Sequence, residues 1–165
     1  MKNILVVLVA MSLSWTQQKD NYVEIYGISF TCPAGWNVKK AEDDGSFKSI
    51  SVERAGDIAS GLITMLFTEM TLEPDALLDL LVTHLKNQDG HTNLAVQAPE
   101  EKRYGKYNCK AITYAFLINS VKHDGEIVVF SEKGITMSIV HQDAVLDHSE
   151  NLPGFITLRE SLTIK

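Results

Sequence analysis

Cysteine is scarce in this chain: 165 residues carry two, Cys32 and Cys109. That excludes a small scaffold stapled by several disulfides, so the fold must rest on a hydrophobic core. The sequence has no repeats, no low-complexity tract and no internal linker. Its extended apolar run, residues 4–13 (ILVVLVAMSL), falls short of the roughly 20 residues that a membrane-spanning helix needs. Basic charge is also in deficit. Fifteen Lys and Arg face 21 Asp and Glu, a net charge of −6, and no Lys/Arg cluster stands out. Nucleic acid is therefore not an expected partner, nor is an anionic membrane surface. Catalytic signatures are missing too. There is no G-x-S-x-G, S-x-x-K, P-loop, dinucleotide fingerprint, H-E-x-x-H or paired C-x-x-C.

The N-terminus has the layout of a secretory signal. A short start containing Lys2 precedes the apolar run, and small residues Ser12, Ser14 and Thr16 stand at and just beyond its end. Cleavage after Thr16 divides the chain into a signal peptide, 1–16, and a single domain, 17–165. No membrane segment is expected in the mature chain. Export permits one disulfide between Cys32 and Cys109, worth about 3–5 kcal/mol as the closure of a long loop. Two buried free thiols fit the same sequence, and a catalytic thiol is the third alternative; all three stay open here.

The remainder is 45% hydrophobic and 22% charged, ordinary for a folded domain. The richest stretch, residues 107–141, reads as three antiparallel strands. Residues 109–120 put Ile112, Tyr114, Phe116 and Ile118 on one face, with Cys109, Ala111, Thr113, Ala115 and Leu117 on the other. Strand chemistry of this kind predicts a central strand covered on both sides. Turns are predicted at Lys122-His123-Asp124-Gly125 and at Glu132-Lys133-Gly134. Earlier strands are predicted over 22–31 (broken near Gly27), from Trp36, over 47–54 and over 61–68. Trp36 follows the Pro33–Gly35 turn as a core or rim anchor. The acidic run Glu42-Asp43-Asp44 lacks calcium-loop spacing and reads as a solvated loop.

One helix is predicted over 71–88, capped by Thr71. Its apolar stripe of Leu77, Leu78, Leu81, Val82 and Leu85 packs on the sheet. A short strand at 93–98, a turn at 99–102 and a helical or irregular segment after His141 complete the pattern. His84 reads as a boundary residue, His91 and His123 as solvated turn residues. The best ligand-like cluster is His141, Asp143, Asp147 and His148, whose spacing can gather two imidazoles and a carboxylate as divalent metals require. Polar residues at a strand-to-helix junction equally serve as caps.

Two segments resemble a known family. Residues 26–38, Tyr-Gly-Ile-Ser-Phe-Thr-Cys-Pro-Ala-Gly-Trp-Asn-Val, are similar to the aromatic-x-x-Pro-x-Gly/Asp-Trp opening of PsbP-like and DcrB-like domains, whose relatives include the Ran-binding Mog proteins. Residues 155–164 resemble their closing helix and Ser-x-x-Ile strand. The resemblance covers residues 22–165. It implies an α+β fold, an α/β/α sandwich with a central, mainly antiparallel sheet and helices on both faces. It also implies a mostly non-catalytic accessory role, here in a bacterial cell envelope, periplasmic or secreted, with no cofactor.

Three functions compete on this basis. The first is an exported binding or adaptor domain for a protein complex in the envelope. The second is a carrier of a small apolar ligand held between the helix and the sheet, lined by Leu77, Leu81, Tyr114, Phe116 and Met137. The third is a metal-dependent hydrolase using His141, Asp143 and His148.

Overall fold

The computed structural model describes residues 20–56, 60–70 and 72–165. The signal peptide expected at 1–16, with its cleavage site, and the expected cap Thr71 lie outside the described residues. Eight strands form the main sheet, every pairing antiparallel: β3 (Trp36–Asp43), β4 (Lys48–Arg54), β5 (Leu62–Thr68), β6 (Thr92–Val96), β7 (Glu100–Tyr104), β8 (Tyr107–Ile118), β9 (Val121–Glu132) and β10 (Ile135–Ala144). Their order is β3-β4-β5-β10-β9-β8-β6, with β7 beside the other half of β8. A small second sheet joins β1 (Asn21–Ile25), β2 (Ile28–Cys32) and β11 (Thr163–Ile164) in the order β1-β2-β11. The helices are α1 (Pro74–Lys86) and α2 (His148–Ser161).

Period-two alternation along the long central strands gives two separate cores. On one face Ile112, Tyr114 and Phe116 of β8 pack with Ile127 and Val129 of β9 under Leu77, Leu78 and Leu85 of α1. On the other, Cys109 and Ala111 join Val128, Phe130, Met137 and Ile139 in the larger core, which also takes Ile63, Met65, Phe67 and the inner residues of α2 and the small sheet. The chain is thus α+β, with its sheet covered on both sides. The second cover is α2 and the three-stranded sheet together.

Several predicted boundaries move, each for a local reason. The β8–β9 turn is at Asn119-Ser120, both at positive φ (49° and 67°), as a two-residue hairpin of the primed type demands. Lys122 to Gly125 lie within β9. Gly125 is a strand residue because Tyr114 sits directly opposite and lays its ring over it; a Cβ there would collide with that ring. The segment read as a turn at 99–102 enters β7, a charged strand on the edge of the sheet, where charge guards against unwanted pairing. The acidic run extends β3, and the Asp44 carboxylate accepts the N–H groups of Ser46 and Phe47 at 2.9 and 2.7 Å, closing the turn to β4.

Trp36 seats α2. Its indole is buried and meets Phe155 edge-on, with ring centres 5.4 Å apart. Two glycines make room for it. A Cβ on Gly154 would lie 2.5 Å from the indole, and one on Gly61 2.6 Å from it. Gly154→Ala is therefore expected to destabilise by about 1–3 kcal/mol through overpacking, despite alanine's better helix propensity. In a Trp36→Leu background the same change should be neutral or stabilising. Urea denaturation of the four proteins in this cycle checks it; an equal cost in both backgrounds would show that the indole is not the constraint.

Candidate functional site

Helix α2 starts over the end of β10 and leaves residues 113–115 of β8 and 124–126 of β9 uncovered beside it, in a cleft of about 630 Å³. Two cross-strand rows make its floor: Thr113, Glu126 and His141, then Ala115, Asp124 and Asp143. His148, Leu152, Phe155, Ile156 and Arg159 of α2 form one wall, and Ala95 and Gln97 stand at the other side. Leu152 and Ile156 are apolar yet 42% and 39% exposed. They lie four apart, on a different side of α2 from the buried Asn151, Phe155 and Leu158. Nothing in the sequence alone set this Leu/Ile pair apart from the apolar residues that α2 buries. Asp124, Glu126 and Arg159 were likewise not singled out.

Of the histidine–aspartate cluster, Asp143 and His148 meet at the base of α2, while His141 and Asp147 take other partners. His141 Nε2 lies 2.6 Å from the Tyr104 hydroxyl, and its ring stacks flat on Phe155 at 5.1 Å. Burial, then the nearby Arg159 and Lys102 cations, push the imidazole down to about 3, so the neutral ring accepts a hydrogen bond from the phenol. Burial holds the Tyr104 phenol well above its ordinary value, which keeps it a donor. Asp143 accepts from His148 Nδ1 at 3.2 Å and from Asn151 Nδ2 at 3.3 Å. The neighbouring Ser60 hydroxyl donates to Asp147 and accepts the Ala144 N–H. Arg54 ties the helix start to the sheet through Asn151 and Glu150. Among the described residues no three His, Cys, Asp or Glu side chains stand together as a metal site. Of the three residues named for a metal, His141 points to a phenol, and Asp143 and His148 pair with each other as a helix-start clasp.

The five residues expected to line a carrier pocket under α1 do not gather around one cavity. Leu77, Tyr114 and Phe116 are packed in the α1 core, whereas Met137 belongs to the opposite face. Of the five expected lining residues, Tyr114 alone borders the cleft. His91 and His123 are half-buried and flank the Phe116 ring, with centres 4.0 and 5.4 Å away, and His123 is a strand residue. Cys32 and Cys109 are free and buried. Cys32 Sγ faces the Trp36 carbonyl at 3.4 Å, and Cys109 Sγ the Lys102 carbonyl at 3.3 Å. The disulfide alternative gives way to two separate thiols. Burial raises both, Cys109 to about 11, which argues against a reactive nucleophile.

No protein-family model matches the chain, and no curated protein matches it. Solved structures do. The cyanobacterial PsbP (CyanoP) of Synechocystis sp. PCC 6803 superposes with a TM-score of 0.62 at 10% identity, over 92% of this chain and 96% of that one. A Bacteroides thetaiotaomicron protein gives 0.54 at 12% identity, over 84% of this chain and 45% of that one. LpqN, involved in cell envelope biogenesis of Mycobacterium tuberculosis, gives 0.49 at 13%, over 89% and 91%. The fold is PsbP-like, as the two sequence segments implied.

The buried titratable groups set two expected outcomes. Unfolded, His141 takes up a proton near 6.5; folded, only near 3. Its contribution is therefore complete above pH 6.5 and is lost as pH falls through that window, with a slope of up to about 1.4 kcal/mol per pH unit. Urea unfolding between pH 7 and about 5 should show this slope, and His141→Gln should flatten it. Both thiols should resist an aromatic disulfide reagent in the native protein and react on unfolding. An intact mass lower by two hydrogens would instead restore the bridge.

Proposed function

We propose that this chain is an exported, non-catalytic protein of the bacterial cell envelope that serves as a binding or adaptor domain within a protein complex. The observation that carries this reading is the cleft beside α2, where Leu152 and Ile156 stay exposed on a rigid helix. Nearby, the side chains best suited to acid–base or metal chemistry are engaged in partly buried structural bonds. Exposed apolar side chains in a concave site favour a binding role. The PsbP-like fold and the signal-like residues 1–16 support the setting.

A second reading draws on the cleft's size. About 630 Å³ falls within the range of small-molecule sites, so a carrier of a small apolar ligand would use this face rather than the filled α1 interface.

Masses of the protein recovered from the envelope, measured native and denatured, separate these readings. The adaptor reading expects a mature chain beginning at Gln17 and a native mass with no small-molecule addition. Added mass that disappears on denaturation would transfer the function to the carrier. An uncut chain confined to the cytosol would contradict export.

A further inference from the structure

We propose that the cleft receives an extended segment of a partner protein that alternates apolar and basic side chains, the apolar ones lying on Leu152 and Ile156 and a Lys or Arg meeting Asp124. This rests on the reading of the chain as a binding domain and names the chemistry of its partner.

Two rows of groups face each other across the cleft. The stack of His141 on Phe155 and the bond from His148 to Asp143 fix α2 alongside β10. Its exposed Leu152 and Ile156 share the cleft with Asp124 and Glu126 of β9, the next strand. Leu152 and Ile156 are one helical turn apart, about 6 Å along the axis. Asp124 and Glu126 are two strand residues apart, about 6.8 Å. An extended chain repeats its side chains on each face at that same interval. A segment laid between the rows offers one face to the apolar wall and the other to the carboxylates.

Charge selects which polar residues belong on that second face. Three carboxylates line the cleft, Asp124, Glu126 and Asp143, against the single guanidinium of Arg159. Asp143 is taken by His148 and Asn151, and Glu126 by Lys102 at 2.5 Å. Asp124 remains the most accessible: its side chain is 47% exposed, and its partner Lys122 lies 3.4 Å away and is itself largely solvated. An incoming cation can replace that exposed pairing at little cost, because such surface pairs contribute little. An acidic segment would add charge to a carboxylate-rich floor. The small floor residues Thr113 and Ala115 leave height for a backbone above β8.

Fluorescence anisotropy with the mature chain tests this, using labelled short peptides of alternating Leu and Lys, or Leu and Glu, and a labelled dodecylamine. The Leu/Lys peptide should bind at least about tenfold more tightly than the Leu/Glu peptide. Leu152→Ser with Ile156→Ser should weaken it about tenfold, and Asp124→Asn should weaken it severalfold and reduce its salt dependence. If the serine pair fails to fold, Asp124→Asn carries the test alone. Equal binding of the two peptides, or binding indifferent to these substitutions, would overturn the proposal. So would capture of dodecylamine without the peptide, which would favour the carrier. Where neither peptide binds, a photoreactive side chain at position 156 separates the failures. Crosslinking to a protein in intact cells leaves the binding-domain reading standing and rejects this chemistry; absence of any crosslink rejects both.

Discussion

The seating of one indole controls the geometry of this protein. Trp36 begins β3 and reaches under α2, where Gly154 and Gly61 allow it to approach closely and Phe155 closes on its edge. Phe155 in turn lies flat on His141, and His141 accepts from Tyr104 of β7. Helix, sheet and edge strand are thereby joined through one run of touching rings. Interiors are packed too densely for such a run to shift in one place alone. Where α2 rests decides how much of the sheet it covers, and so decides that residues 113–115 and 124–126 of β8 and β9 are left open beside it.

Much of this was legible in the sequence. Alternation on β8 divided its residues correctly between two cores, because a central strand in an antiparallel sheet leaves a clear period-two record. The leucine stripe of α1 was equally direct. The Pro33–Trp36 opening and the closing segment pointed to the PsbP-like fold that the solved structures share. What escaped was set by contacts distant in sequence. Pro153-Gly154 has the composition of a turn, yet α2 continues through it, and the indole of Trp36 explains why glycine stands there. Gly125 looked like hairpin chemistry and is instead the space over which Tyr114 lies. Local composition cannot report an aromatic ring arriving from another strand.

The candidate site shows the same division. Sequence spacing brought His141, Asp143 and His148 to notice, and the fold pairs the last two. Their hydrogen-bond partners, Tyr104 and Asn151, decide what they do, and those partners arrive from β7 and from inside α2. Satisfied buried polar groups of this kind fix the local structure rather than supply reactive sites. The apolar wall went unnoticed for the opposite reason. Single exposed hydrophobic residues are ordinary on protein surfaces, and Leu152 and Ile156 acquire meaning only when the cleft beside them is seen.

Side-chain footprinting by hydroxyl radicals, comparing the purified protein with the protein in its native envelope, tests the proposed binding role of this wall most directly. Leu152 and Ile156 on the cleft wall should lose reactivity in the envelope, while Leu80, exposed on the outer side of α1, should keep it. Protection of Leu80 with the cleft wall unchanged, or no protection anywhere, would contradict the account.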